Sequence, residues 1–593
     1  MRWALRASAT AESSPAATES AVAQLARALK LSPVVARLLV QRGLSDPEQA
    51  LRFLNPSLKD LHSPFLMRGM KEAVARLQSA IANKEPILIY GDYDVDGTLA
   101  TVILKTAIEL LGGRCDFHVP HRLREGYGMR GEVIERAAAE GVRLVISVDT
   151  GIRAFAEAET ARRLGVDLIV TDHHLPHDRG LPLALAVLNP NDDACPYPDK
   201  GLSGAGVAFK LAQAMLESAG RQRLIPSFLK VAAVATVADS VPLVGENRTI
   251  VRLGLEGLRR PVNPGLKALM EVAKLDTGRA PSTTEVAFRL APRINAAGRM
   301  NVAEDVVELL MLKDEQRARE IAFRLDRLNA ERQVEEARIN QAIVEQLERS
   351  PELRDAACII VDAEGWHRGV IGICASRLVE RRHRPAIVIA REGLEAFGSG
   401  RSIGSFHLLN AIETCADLFI RHGGHAAAIG FALPAEHLPE LRRRVEGYAR
   451  QHLRPEDCEP LLEFDAELAL NEVTPLFYEQ LSELQPFGNA NPEPVFVACD
   501  VSCTGEPRVL KEKHLKLRLK RPGANLPPGT HSAHIEALGW RMGERLPEIP
   551  RGSGALLDVA FRIERNNHPE FGGGLQLILC DFRAALAASG GAR

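Results

Sequence analysis

Residues 86–97 read Pro-Ile-Leu-Ile-Tyr-Gly-Asp-Tyr-Asp-Val-Asp-Gly, and the fold turns on them. Pro86 opens the apolar run Ile87-Leu88-Ile89-Tyr90, too short for a helix and suited to a buried strand. It stops at Gly91, among three aspartates at 92, 94 and 96, and a helix-like stretch follows from Thr98. The stretch before it, Lys71 to Asn83, has helical spacing. Downstream the cycle repeats. Leu144–Val148 ends at Asp149-Thr150-Gly151, and Leu168–Thr171 ends at Asp172-His173-His174. Short strands without polar alternation, separated by helices, predict a parallel α/β sheet covered on both faces.

In open parallel sheets, ligands bind outside the carboxyl ends of the strands, so Asp92, Asp94, Asp96, Asp149 and Asp172 are expected in one crevice. Carboxylates gathered together raise one another's pKa unless a cation neutralises them. Aspartate oxygens suit Mg²⁺ or Mn²⁺, and the neighbouring imidazoles of His173 and His174 tilt the preference towards Mn²⁺. The set is large enough for two divalent ions about 3.5–4 Å apart, with Asp149 from the central strand as the bridge. Taken alone, Asp149 reads better as a helix N-cap; it is the set together, with the His-His pair, that reads as a metal site. Residues 94–99 also fit the phosphatase signature in which the first aspartate is a covalent nucleophile, but that reading leaves Asp-His-His unexplained.

Outward from this region the chain changes character several times. Residues 21–70 read as short helical pieces interrupted by Pro33, Pro47, Pro56 and Pro64. Val231–Ala238 is ambiguous between buried strand and buried helix, and its alanines favour helix. Residues 302–349 are charged and free of Pro and Gly, with Leu309, Leu312, Ile321, Leu325 and Leu328 at helical intervals; they predict one or two extended helices linking domains. A second α/β pattern starts near 357 and includes Gly-rich segments at 398–404 and 423–430. After about 460 the chain turns β-rich, and residues 514–520 (HLKLRLK) alternate strictly between leucine and polar or cationic side chains.

At 593 residues the chain exceeds one core, and about 100–200 residues per domain predicts three to five. The 74 Lys and Arg nearly balance 76 Asp and Glu, which excludes nucleic-acid binding by bulk charge while leaving room for a local basic groove. The longest apolar stretch, Val231–Ala238, falls far short of the ~20 residues that span a bilayer, so no membrane partner is expected. The odd number of cysteines, nine, shows neither a disulfide lattice nor paired zinc knuckles, which predicts reduced thiols and a cytoplasmic setting. The Ala- and Ser-rich first twenty residues lack an apolar core segment and read as a frayed terminus rather than a signal peptide.

Residues 90–97, 147–151 (SVDTG), 171–174 (TDHH) and 235–240 (ATVADS) resemble, in order, the four motifs of the DHH phosphoesterase superfamily. Residues 292–300 (PRINAAGRM), 366–378, 423–430 (GGHAAAIG) and 486–496 (PFGNANPEPVF) are similar to the longer RecJ-type single-stranded-DNA exonucleases. The likeness runs from about residue 50 almost to the C-terminus. It implies a multidomain α/β chain: an N-terminal helical segment (1–70), a parallel-sheet DHH domain (71–300), a connecting helix (301–350), a DHHA1 α/β domain (351–455) and an OB-like β-barrel (460–593).

It further implies that Asp94 and Asp96 each bind a metal, Asp149 bridges, His173 is a direct ligand and His174 ligates or shapes the site. Asp239 becomes a ligand only through the fourth motif. Many superfamily members carry a histidine four residues before Asp94; Tyr90 stands there instead, leaving that coordination to Asp92 or water. Phosphate and DNA contacts are implied for Arg293, Asn295, Arg299, Ser399, Arg401, Ser402, Gly424 and His425, with Trp366 and His367 nearby. On the barrel, Lys516, Arg518 and Lys520 point to a phosphate backbone, extended by Arg508, Lys511, Lys513 and Arg521. The implied activity is two-metal, 5′→3′ hydrolysis of single-stranded DNA in repair and recombination, by a monomer working with a helicase and a single-strand-binding protein. Two other readings stay open: a DHH phosphodiesterase on short oligonucleotides or cyclic dinucleotides, and a non-catalytic strand-binding scaffold.

Overall fold

The computed structural model describes residues 1–7, 15–122, 124–126, 128–300, 302–520, 534–550, 555–566 and 574–585. The chain forms two compact units. One combines Met1–Asp60, Leu243–Arg248 and Leu461–Arg593; the other combines Leu61–Pro242 and Thr249–Pro460.

In the second unit, five parallel strands lie in the order Arg114–His118, Pro86–Tyr90, Leu144–Val148, Asp167–Thr171 and Ala186–Leu188. Every residue of Leu144–Val148 is buried, as an apolar run without alternation requires. From Pro86–Tyr90 the chain moves to one side for Arg114–His118, then to the other for Leu144–Val148. That reversal opens a crevice at the carboxyl ends of Pro86–Tyr90 and Leu144–Val148, where residues 91–97 and 149–151 emerge.

The helix expected from Thr98 begins earlier, as Val95–Leu110, because Asp94 caps it by accepting the Gly97 N–H at 3.0 Å. Val231–Ala238 lies within the helix Ile225–Ala238. The charged linker is two helices, Glu304–Met311 and the 35-residue Glu315–Arg349. The accessory sheet runs Arg421–His425, Ala428–Pro434, Glu395–Arg401, Ala386–Glu392, Ile359–Glu364. Its Gly-rich segments lie in strands: Gly398 and Gly400 within Glu395–Arg401, and Gly423 and Gly424 within Arg421–His425. The reason is packing: a side chain at Gly398 would meet the Phe431 ring, and one at Gly400 would lie 2.6 Å from Ile429.

The other unit holds a closed barrel. Phe496–Cys503 pairs with Leu557–Arg565, then Leu575–Ala584, Ile535–Gly539 and His514–Lys520, which returns to Phe496–Cys503 through Ser502 and Cys503. Ile535–Gly539 and Leu575–Ala584 pair in parallel, the rest antiparallel, which is the five-stranded Greek-key closure of an OB barrel. Leu515, Leu517 and Leu519 face its core, as their alternation predicts.

Val35, Leu39, Ala50 and Leu54 of the N-terminal helices share one core with Phe496, Phe561 and Phe582. Prolines 33 and 47 start helices rather than merely interrupting them. The first residues are not frayed throughout: Arg2–Leu5 pairs in parallel with Leu461–Phe464, and the Trp3 indole N–H donates to Asp581 at 2.7 Å. A lone tryptophan in a polar stretch was the available clue. The 486–496 motif is structural here. Buried Asn491 donates to the Leu484 and Pro486 carbonyls and accepts from Arg42, while Arg248 donates to the carbonyls of Phe53, Glu483, Leu484 and Gln485.

Candidate active site

The crevice gathers side chains from four separated stretches. Asp96, in the first turn of Val95–Leu110, is 1% exposed and accepts the Gly204 and Ala205 N–H groups at 2.5 and 3.0 Å. These belong to the first turn of Gly204–Ser218, whose N-terminal dipole favours an anion. Asp149 takes a left-handed conformation (φ 59°) directly after its strand, its N–H bonded to the Thr171 carbonyl at 2.9 Å. A Cβ at Gly204 would sit 2.5 Å from the Asp149 Cβ, so only glycine lets this helix approach so closely. Asp239 caps the C-terminus of Ile225–Ala238.

His173 Nε2 stands 3.2 Å from Asp149 Oδ1, 3.8 Å from Asp239 Oδ2 and 3.9 Å from Asp96 Oδ2. Asp172, expected among the converging acids, does other work. It accepts the N–H groups of Ile152 and His173 at 2.9 and 2.7 Å and His174 Nδ1 at 2.7 Å. Burial alone would raise its pKa, but these bonds hold it below the usual range and fix the orientation of the His174 ring.

Among the described residues, three groups bring ligand atoms within 4.8 Å of one another: Asp92, Asp94 and Asp149; Asp96, His173 and Asp239; and Asp149, His173 and His174. All seven predicted ligands are therefore together, and Asp149 and His173 each belong to two groups. Tyr90 is not among them. Its ring packs against His118, its hydroxyl donates to the Gly128 carbonyl at 3.3 Å, and Asp92 stands in the group beside Asp94.

Burial, then neighbouring carboxylates, push Asp92 and Asp149 well above the ordinary range. Burial also raises Asp96, with His173 opposing it, and burial with Asp96 and Asp94 pushes Asp239 up to about 9. Asp92 Oδ1, Asp149 Oδ1 and Asp239 Oδ2 are buried and accept no hydrogen bond from the described residues. Buried carboxylate oxygens that no protein donor satisfies, flanked by imidazoles, fit divalent cations.

Beside the acids lies a set of cations. Arg299, at the end of Ala291–Arg299, donates to the Gly369 carbonyl at 2.5 Å. Burial, followed by Arg122, Arg332 and Arg401, pushes it down to about 9, while Asp94 opposes the shift. Burial and Arg122 likewise lower Arg401, which donates to Ser399 Oγ at 3.2 Å beside Gly372. Half-buried guanidinium groups crowding one another next to an acidic centre make an anion site.

Arg122, whose guanidinium lies 4.8 Å from the centre of the Tyr93 ring, went unrecognised in the sequence. It follows the strand Arg114–His118, so the strand-end rule applied to that strand would have found it.

Other candidates are placed elsewhere or already engaged. Arg293 is bound to Asp326 at 2.8 Å and to two carbonyls, Arg289 and Val272. Its guanidinium is thus shared among internal acceptors and ties its helix to Glu315–Arg349. Asn295 is half-buried on the same helix. The Ser402 hydroxyl donates to the Phe406 carbonyl at 2.7 Å, and its N–H to Ala427. Gly424 sits at φ 142° where a side chain would strike Ala428, and exposed His425 ends that hairpin strand next to Ala428, the register partner of Arg401. Trp366 is a core residue.

On the barrel, Arg518 is exposed, Lys516 pairs with Glu536 at 3.0 Å and Lys520 is half-buried; Arg521 lies outside the described residues. Trp540, 55% exposed and edge-on to His514 at 4.8 Å, adds an aromatic surface that the sequence reading did not single out.

Comparison with known proteins follows the same divisions. The DHH family N-terminal domain matches residues 86–236, the DHHA1 domain 355–451 and the RecJ OB domain 464–581. The single-stranded-DNA-specific exonuclease RecJ of Bacillus subtilis is 39% identical over 536 residues, covering 90% of this chain and 66% of that protein. This chain therefore spans about two thirds of the length of that relative. RecJ of Dickeya dadantii is 36% identical over 561 residues, covering 90% of this chain and 93% of its own length. The crystal structure of RecJ with Mn²⁺ from Thermus thermophilus superposes with a TM-score of 0.81 at 30% identity, covering 100% of this chain and 81% of that one. A second structure from that organism, with Mg²⁺, gives 0.75 at 29% identity, over 99% and 79%. Three domain matches in the order of the architecture, and identity sustained along nearly all of the Dickeya protein, place this chain in the RecJ family of single-stranded-DNA-specific exonucleases.

Proposed function

We propose that this chain hydrolyses single-stranded DNA from the 5′ end with two divalent ions, Mn²⁺ or Mg²⁺. The observation carrying this reading is the seven-ligand cluster, with its three unsatisfied carboxylate oxygens, facing Arg299, Arg401 and Arg122. When bound, the ions would neutralise charge building on the phosphoryl oxygens and lower the pKa of the attacking water. Asp94 and Asp96 would hold one each, Asp149 would bridge, and His173, His174, Asp239 and Asp92 would complete the two shells.

The chain's own groups do the rest. Arg299 and Arg401 bind phosphate oxygens with fork geometry, and Ser399 steadies Arg401 from behind. Arg122 lies against Tyr93 and fixes the entry side. On the barrel, Arg518 and Lys516 attract the backbone and Trp540 offers a base-stacking face. The RecJ OB domain match supports long strands over cyclic dinucleotides as substrate. Among the described residues no helix is long and apolar enough to cross a membrane, and the reading includes a cytoplasmic monomer serving repair and recombination beside a helicase and a single-strand-binding protein.

Digestion of end-labelled single and double strands, with and without Mn²⁺, tests the reading. Shortening of the single strand from its 5′ end, only with metal, is expected. Equal attack on duplex, metal-independent cleavage or 3′ polarity overturns it. For the barrel, Arg518→Gln should shallow the salt dependence of strand binding by roughly one unit of log–log slope, and Lys516→Gln by less, because Glu536 already neutralises it. Fluorescence anisotropy across a salt series reads both.

A further inference from the structure

Both ligand histidines precede an exposed excursion of the chain. Leu175, His177 to Gly180, Leu183 and Leu185 are exposed before the chain regains the sheet at Ala186–Leu188. What ties the histidines down is the tripeptide that follows that short strand, Asn189-Pro190-Asn191. Asn189, 1% exposed, donates its side-chain amide to the His174 carbonyl at 2.8 Å. The Asn191 side chain donates to the His173 carbonyl at 2.6 Å. The two asparagines are joined to each other, since the Asn191 N–H donates to Asn189 Oδ1 at 2.7 Å.

We infer that Asn189 and Asn191 form a bracket that fixes the backbone of both ligand histidines where the exposed 175–185 excursion begins. The inference deepens the two-metal reading and rests on it. The imidazole directions are set from two sides. Asp172 holds the His173 and His174 N–H groups and the His174 ring; the bracket holds both carbonyls. A histidine with its N–H and C=O both anchored cannot swing its Cα–Cβ bond away from Asp149 and Asp239 without breaking a buried hydrogen bond. Removing one carbonyl anchor frees one ligand histidine's backbone on that side. Neither asparagine touches the cluster itself, so they are positioning residues.

The test uses the full chain and Mn²⁺ itself. Asn191→Asp removes the donor and sets a carboxylate against a carbonyl. Its apparent Mn²⁺ affinity, followed by electron paramagnetic resonance of the free ion, is expected to fall about tenfold or more, with exonuclease kcat recovering at saturating Mn²⁺. Asn191→Ala, which removes the donor without introducing a charge, should show the same loss of affinity and the same recovery at saturating Mn²⁺. A merely structural role would lower the melting temperature without a metal-dependent rescue. Asn191→Asp and Asn191→Ala with wild-type Mn²⁺ affinity, or an affinity loss with no recovery of kcat at saturating Mn²⁺, overturns the bracket. Asp149→Asn serves as the separate control: if it takes up two ions like the wild type, the metal reading has failed instead.

Discussion

Asp149→Asn is expected to cost at least about a thousandfold in Mn²⁺-dependent digestion of single strands, roughly 4 kcal/mol of transition-state stabilisation. Asp149 alone among the carboxylates belongs to two of the three ligand groups, so its loss disturbs both ion positions at once. The substitution is conservative in every other respect. Asparagine is among the few residues comfortable at φ 59°, and it has the same shape against Gly204. It also removes a buried charge that burial and then Asp96 and Asp94 disfavour. The metal-stripped variant should therefore melt a few degrees above the metal-stripped wild type, about 1–2 kcal/mol, while gaining far less from added Mn²⁺. Calorimetric melting with chelator and with Mn²⁺, beside a digestion assay, checks both halves. Retained digestion would remove Asp149 from the mechanism.

Arg299→Met should lower kcat/KM on single strands about a hundredfold while leaving Mn²⁺ uptake near wild type. Arg299 is pressed to about 9 by burial and by three other arginines, a cost the fold tolerates only where an anion relieves it. Methionine keeps the length and removes the charge, so the neighbouring guanidinium groups of Arg401 and Arg122 lose a repulsive partner and the fold keeps its packing. The loss should fall mainly in KM, since the phosphate contact exists before the transition state as well as in it. Arg293→Met is the matched control: Arg293 shares the helix but is engaged by Asp326, so its change should lower stability and leave KM alone. Equal KM effects from both would deny the arginine set its phosphate role.

The catalytic sheet was legible because its strands carry the pattern that burial on both faces demands, and because each ends in a residue type that only the crevice can use. Leu144–Val148 and Asp149 are the clearest case. Asp239 was not legible that way: it caps a helix rather than following a strand, and only the ordered motif pointed to it. The strand placement of Gly398 was not legible, because glycine signals either backbone freedom or a close neighbour, and the neighbour here is the Phe431 ring. Arg293 and Arg299 are chemically alike in the sequence. What separates them is whether an internal carboxylate lies within reach, and Asp326, 33 residues away, is a tertiary fact. The Arg2–Leu5 strand was missed for the same reason, its partner being Leu461–Phe464.

The barrel's hydrophobic core has a consequence for biosynthesis. Val35, Leu39, Ala50 and Leu54 are synthesised before the catalytic sheet, yet the side chains that cover them begin near Ala466. At about 5–20 residues per second, some 400 intervening residues keep that apolar surface waiting for roughly 20–80 s. The nascent chain must carry these helices unfinished past a whole catalytic sheet, which marks them as a segment exposed to aggregation until the barrel is made.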